Sequence, residues 1–411
     1  MGELPFFTNL LILLVTARLF GELFERMRQP SMIGEIIAGM ILGPSVLNLI
    51  HRTEEIKVIS ELGVFLLVIL AGLEIRIDDI LKSMRGRNMI ISLLAFALPL
   101  AGGFAVGHFF GQQVMTSVFI GLCVAITALP VSIRILMDLG QINSAIGKRI
   151  ISVAIFDDVL ALTVLGVLLN VKDTDMSLSA VMGITLLSLA KLIAFIVVLS
   201  LAYLFINRLI RKGDVVEMGL NRVLEFLRGK ESLFAIFFAF VLLFSTITEN
   251  LGFHFIIGAF FAAMLISDTV IGKDHLKTVE STVSSLAMGF LAPIFFAGIG
   301  LEFNVGSIEN LWLLAGVIAV SYLTKIFGGF LGCSLAGLDR RTSWIVGIGL
   351  NARGIMELVI ANIAYKAGLI TTEVFSILVI MGVLTTLTTP LMLKRGFGRL
   401  AAAAAPAGPA A

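Results

Sequence analysis

Two aspartates, Asp157 and Asp158, stand side by side in "VAIFDDVLALTVLG" (153–166), where nearly every other residue is apolar. At the centre of a bilayer an ionisable side chain costs at least about 2.5–3.5 kcal/mol on insertion scales, so such residues mark ion pathways and proton relays. Neighbours on a helix point about 100° apart, so the two can do different work. One can face a cavity while the other meets a packed partner. A carboxylate in such a place holds a proton or a cation but not both, and that competition couples two fluxes at one site.

A basic partner is within the same kind of sequence. Lys325 lies in "SYLTKIFGGFLG", inside an apolar stretch and followed by Gly328, Gly329 and Gly332. Glycines there let another helix backbone come close. The lysine either snorkels to the interface or pairs with an aspartate, and an Asp–Lys pair is the expectation.

Two further stretches carry interruptions. In "AITALPVSIR", Pro130 removes a helix hydrogen bond, and Thr127 offers a hydroxyl beside the break. In "GIGLNARGIMEL", Gly347, Gly349 and Gly354 surround Asn351 and Arg353. Interrupted helices leave unpaired backbone groups that bind an ion or need a charge to neutralise them. Arg353 suits carbonyl ends that face each other. Glu357 follows Arg353 by four residues, a spacing at which the two can pair. Arg18, Lys191 and Glu249 are expected to pair or to reach an interface. Glu35, Glu74 and Glu302 are expected to flank span ends, and His254 and Asp268 to be solvated near them.

The elements that must hold these residues are long and apolar. Of 411 residues 58% are hydrophobic and 14% charged, with a mean hydropathy of +1.04. Soluble domains carry about 25% charged residues, so the composition is that of a polytopic membrane protein. The net charge of +2 gives no sign of nucleic-acid binding, and Cys123 and Cys333 form neither a metal-ligand spacing nor a disulfide framework. No cofactor motif is evident, and transport rather than enzymatic catalysis is expected. The acidic Glu3 and the Arg18 within the first span argue for an uncleaved first helix.

Spans need about 20 apolar residues each, and about 13 candidates emerge: 4–24, 31–50, 58–75, 89–110, 114–137, 145–170, 178–206, 231–249, 253–269, 284–303, 310–336, 342–365 and 373–393. With the N-terminus outside, alternate loops collect most of the basic residues, among them Arg26, Arg85, Arg149, Lys212, Lys273, Arg340 and Lys394. The opposite loops keep Arg52, Lys57, Lys172 and Lys366. That asymmetry places the C-terminus in the cytoplasm.

Similar strings recur. "IIAGMILG" (36–43) is like "IIGAFFAAML" (256–265), and "VILAGLEIRI" (68–77) is like "FFAGIGLEFNV" (295–305). The offset of seven spans inverts the second copy, as in secondary transporters. It sets the interrupted spans 114–137 and 342–365 against each other, the best sequence pointer to a transporter's binding site. The expected organisation is a first transmembrane half (1–206, repeat in spans 2–6) and a basic cytoplasmic linker lying partly on the membrane (207–230). A second half (231–400, repeat in spans 9–13) and a low-complexity tail (401–411) follow.

"GEIIAGMILGPSVLN", "AIFDDVLAL", "APIFFAGIGLEF" and "GIGLNARGIMELVIANIAYKAG", in order along essentially the whole chain, resemble the monovalent cation/proton antiporters of the Nha/Kef superfamily, family two. The resemblance implies an all-α membrane protein of 12 to 14 helices with an inverted five-helix repeat and two crossed discontinuous helices. It implies a homodimer, set among membrane lipids in a bacterial cytoplasmic membrane. It makes Asp158 the carrier of a proton or of Na⁺ or K⁺ and pairs Asp157 with Lys325. It places Thr127 at the first break and Arg353 at the second. The Asp-Asp pair with a lysine resembles the electrogenic sodium branch. The potassium-efflux branch has Gln-Asp or Asn-Asp there and a C-terminal nucleotide-binding domain, which is not seen here. The "LNARGIMEL" segment resembles members that also handle K⁺. The expected function is electrogenic Na⁺/proton exchange by alternating access. Electroneutral K⁺/proton exchange, or a K⁺ efflux system lacking its regulatory domain, stays open.

A channel is disfavoured because no filter-like carbonyl repeat is visible. An intramembrane aspartyl protease is disfavoured because its two aspartates come from different helices.

Overall fold

A computed structural model describes residues 5–27, 29–51, 53–74, 87–171, 191, 230–251, 253–266 and 271–404. The expected span 178–206, apart from Lys191, lies outside the described residues. So do nearly all of the 207–230 linker, Asp268 and the end of the tail.

The described residues are helical, with no strand. In order they form α1 (Phe6–Arg26), α2 (Ser31–Leu42), α3 (Glu54–Glu74), α4 (Arg87–Phe109), α5 (Val114–Ala125), α6 (Leu129–Asp138) and α7 (Ala145–Val171). After the undescribed stretch come α8 (Lys230–Asn250), α9 (Phe255–Leu265), α10 (Lys273–Leu286) and, through a π turn at Ala287–Leu291, α11 (Ala292–Glu302). The last are α12 (Leu311–Leu335), α13 (Arg340–Gly349), α14 (Ile355–Lys366) and α15 (Thr372–Ala404). Among the described residues, 8 helices are long and apolar enough to cross a membrane, with the α10–α11 rod (Lys273–Glu302) counted as one. This is an integral membrane protein.

Two sequence-derived edges are corrected. The helix expected at 284–303 begins at Lys273, because "KDHLKTVESTVSSL" continues the same rod with polar residues. The helix expected at 373–393 continues to Ala404. Hydropathy marks where apolar residues start, not where the hydrogen-bond ladder does.

The chain divides into two compact units. One comprises Met1–Lys57, Asp79–Ala161 and Phe296–Ala411, and the other Val58–Asp78 and Leu162–Phe295. Both draw on each sequence half.

In the first unit α1 shows what the bilayer asks of an outer helix. Leu13, Ala17 and Gly21 are buried with Asn9, whereas Phe7, Leu11, Val15, Leu19 and Leu23 are exposed. Both sets repeat every four residues, so one stripe packs and the opposite apolar stripe meets lipid.

Small residues set how close the helices come. A Cβ on Gly39 of α2 would lie 2.0 Å from Ala297 O, and one on Gly300 of α11 2.2 Å from Ile36 O, so these helices touch backbone to backbone. On α12, Gly328 and Gly332 face Leu94 and Ile91 of α4, and Gly329 faces Gly347 of α13. The glycines that follow Lys325 in sequence therefore press its helix onto two others.

In the second unit, Gly72 of α3 admits Phe260 O, and Gly258 of α9 admits Phe244 O of α8. His254 caps α9, its Nδ1 accepting from Ile256 N at 3.5 Å, and is half-buried rather than solvated. Lys191 is exposed and donates to Leu251 O at 3.3 Å.

Candidate ion-binding site

Both interrupted stretches are open backbone between two short helices. α5 ends at Ala125, Ile126 (φ −71°, ψ 144°) and Ala128 (φ −75°, ψ 112°) are extended, and α6 starts at Leu129. Pro130 therefore does not kink a continuous helix. It sits in the first turn of α6, where a missing N–H leaves nothing unpaired. The second gap runs from Leu350 to Gly354, between α13 and α14. A backbone hydrogen bond joins the gaps, Ala128 N donating to Ala352 O at 2.9 Å. Gly354 makes the approach possible, since a Cβ there would lie 2.7 Å from Ala128 Cβ.

A helix end leaves its last carbonyls without partners, and its dipole makes that end negative. At α5 two buried cations take up this role. Arg353 Nη1 donates to Cys123 O at 3.0 Å and to Ile126 O, and Nη2 donates to Val124 O. Lys325 Nζ donates to Ala125 O. Four successive carbonyls, 123 to 126, are thus capped from helices far away in sequence.

Lys325 Nζ also donates to Ala95 O at 3.1 Å and to Asp157 Oδ2 at 2.8 Å. Its three N–H bonds have three acceptors, which is the geometry of an ammonium. Lys325 and Asp157 are both fully buried, so the lysine pairs and does not snorkel. The glycine contacts of α12 hold it at this depth.

The hydroxyl of Thr127 lies 2.7 Å from Asp157 Oδ2 and 2.9 Å from Leu350 O. It has one proton for two acceptors, so it ties the first gap either to the carboxylate or to the end of α13. Asp157 is thus held by Lys325 and Thr127 beside the joined gaps. Asp158, one position along α7, is fully buried as well and turned about 100° away.

Asn351 is fully buried at the second gap, and neither atom of its amide has a hydrogen-bond partner. Thr386 of α15 donates to Arg353 O at 2.9 Å. The expected Arg353–Glu357 pairing is not formed. The guanidinium points to the α5 carbonyls, because residues 350–354 are not helical and the i, i+4 geometry never arises. Glu357 instead stands fully buried with neither carboxylate oxygen hydrogen-bonded.

Glu35, in the second turn of α2, is 2% exposed, with Arg18 Nη1 3.7 Å away. Glu302 Oε2 accepts from Asn362 Nδ2 at 2.9 Å.

Comparison with known proteins agrees with this architecture. The family model described as sodium/hydrogen exchanger, transmembrane, matches residues 10–395. The chain is similar to the Na⁺/H⁺-K⁺ antiporter GerN of Bacillus cereus, 32% identical over 96% of this chain and 97% of that one. It is also similar to the Na⁺/H⁺ antiporter of Enterococcus hirae, 29% identical over 95% and 98%. The fold is that of the sodium proton antiporter MjNhaP1 of Methanocaldococcus jannaschii, with a TM-score of 0.71 over 96% of this chain at 17% identity.

Proposed function

The chain belongs to the transmembrane sodium/hydrogen exchanger family, and on that premise we propose that it exchanges a monovalent cation for protons at Asp158. The observation that carries this reading is the buried Asp157–Lys325–Thr127 cluster at the joined helix breaks. It fixes one carboxylate between an ammonium and a hydroxyl, and the equally buried Asp158 beside it is the one assigned to exchange. Na⁺ is the first substrate and K⁺ the second, in keeping with the dual name of the Bacillus relative.

Asp158 binds the cation or a proton, and the site faces each side of the membrane in turn. In this cycle Lys325 holds Asp157 while the cation is absent. If Lys325 yields its proton when the cation arrives, two protons move per cation and transport is electrogenic. The inverted repeat and a homodimer belong to the same proposal.

A second reading, one-for-one electroneutral exchange, is favoured by one feature. Two of the three Lys325 acceptors are backbone carbonyls, which hold an ammonium whether or not Asp157 is charged.

Purified protein in liposomes decides between them. Na⁺ and K⁺ gradients are applied separately with no imposed voltage, and internal pH and charge movement are recorded. Cation-driven pH change with net current supports the electrogenic cycle, and pH change without current supports the electroneutral one. Asp158→Asn is expected to abolish both signals. Coupled transport in that variant would sink the assignment.

A further inference from the structure

Where the start of α13 meets the end of α15, the chain collects charge of one sign. Arg340 and Arg341 open α13, and Lys394, Arg395 and Arg399 stand on the last three turns of α15. α13 holds no acidic residue, and α15 holds none after Glu373. Asp339, just ahead of α13, is engaged as its cap, accepting from Thr342 N at 2.9 Å.

The two helices touch here. A Cβ on Gly396 of α15 would lie 3.2 Å from Ile345 Cγ1 of α13. Beside that contact is a cavity of about 620 Å³, lined by Arg341, Trp344 and Ile348 of α13 and by Arg399 and Leu400 of α15. Binding sites for small molecules commonly enclose about 300–1,000 Å³. Among the described residues, the ion pairs are those of Arg18, Arg26, Lys57 and Lys325. Neither guanidinium of the cavity has a carboxylate partner there.

The cavity therefore has two characters. Its arginines suit a phosphate, because the planar guanidinium fork meets phosphate oxygens two at a time. Its remaining wall suits hydrocarbon, and a soluble anion would leave Trp344, Ile348 and Leu400 wet. The position agrees with both. The apolar span of α15 ends at Leu400, so the cavity lies at the membrane surface rather than at its middle. Trp344 is 42% exposed and rests on Phe330 of α12, with ring centroids 4.7 Å apart. Tryptophan is enriched at the level of lipid headgroups, and basic pockets between membrane helices are a recurrent way of holding anionic ones. A zwitterionic headgroup would carry its own ammonium into a patch of five basic residues.

We propose that this cavity binds one anionic phospholipid, with Arg341 and Arg399 sharing its phosphate and an acyl chain lying along Trp344, Ile348 and Leu400. The site stands apart from Asp158 and does not depend on the antiport reading. It does sit on the helices that carry the second gap, since α13 leads into Leu350 and Thr386 of α15 donates to Arg353 O. The bound lipid ties the ends of these two helices together.

The test uses the full chain in a neutral detergent. The protein has two tryptophans, Trp312 and Trp344, and Trp312→Phe leaves Trp344 as the single reporter. This protein is titrated with phosphatidylglycerol brominated on its acyl chains, which quenches a tryptophan it touches, and in parallel with brominated phosphatidylcholine. Saturable quenching by the anionic lipid is expected, with a half-point well below that of the zwitterionic one. In the same background Arg341→Gln and Arg399→Gln are each expected to raise the half-point about fivefold, the worth of one basic residue at an anionic surface. Lys394→Gln removes the same charge outside the cavity wall and is expected to change it little.

Equal half-points for the two lipids overturn the proposal, and that comparison needs no arginine variant. Arginine variants that overlay their parent overturn it as well. Displacement of the brominated lipid by glycerol phosphate, which has the phosphate but no chains, would make the occupant a soluble phosphate and overturn the lipid assignment.

Discussion

At the scale of single residues, the centre of the molecule is a set of carbonyls and carboxylates held by two cations. Lys325→Met removes one partner of a buried pair, leaves two carbonyls without that donor and leaves Asp157 Oδ2 with the Thr127 hydroxyl alone. Breaking such a pair costs about 3–5 kcal/mol, so a clear drop in the thermal unfolding midpoint in detergent is expected. The double variant Asp157→Asn/Lys325→Met removes the stranded charge and is expected to be more stable than Lys325→Met alone. If the double variant melts lower than the single one, the pair is not the source of the loss. Arg353→Gln strips donors from the carbonyls of Cys123, Val124 and Ile126. It is expected to destabilise the protein even where Asp157 and Asp158 are intact, and a melt on that variant checks it. Arg353→Lys is not a conservative replacement here, because a single ammonium does not reproduce the planar fork that spans these carbonyls.

At the scale of elements, backbone contacts between helices make sharper demands than side-chain volume. Gly39→Ala places a methyl 2.0 Å from Ala297 O, so α2 and α11 must separate. A loss of about 1–3 kcal/mol is expected by analogy with overpacked cores. Gly289→Ala meets nothing within 4 Å and is the control expected to melt like wild type.

The start of α13 gives a pH-dependent counterpart. Asp339 caps it by accepting from Thr342 N at 2.9 Å. Hydrogen bonding from the Thr342 side chain, and then from its backbone N–H, holds the Asp339 carboxyl below its ordinary value. A depressed folded-state value stabilises above the ordinary Asp range, near pH 4, and the gain disappears as pH falls through the lower folded value. Asp339→Asn keeps a good cap but loses the charge. The melting difference between wild type and Asp339→Asn is therefore expected at neutral pH and to vanish in acid. It should be small, because the side chain is exposed.

At the scale of the whole molecule, the class of protein and the approximate places of its long helices were legible from hydropathy alone. So were Asp157, Lys325, Thr127 and Arg353, because charge in an apolar run and breaks at Pro130 and Gly354 are local signals. What was not legible depends on direction. Arg353 and Glu357 have helical spacing in the sequence, and only the break in the helix at 350–354 turns the guanidinium away to α5. That Arg18 of the neighbouring helix stands beside Glu35 is likewise not legible from their separate places in the sequence. The division into two compact units was equally hidden, since contiguous halves are what a reader of sequence sees and each unit takes segments from both.

The hydrogen bond from Ala128 N to Ala352 O carries a consequence for how the protein is made. Ribosomes deliver α5 long before the residues that satisfy its end. Until Arg353 has been made, the carbonyls of Cys123, Val124 and Ile126 lack these donors, and unsatisfied backbone inside a bilayer is unfavourable. The nascent chain therefore carries an exposed polar wound through most of its synthesis. A chain stopped before Leu350 never closes it. Such a fragment is expected to stay bound to insertion factors or to be degraded, a fate that pulse-labelling of the truncated chain would reveal.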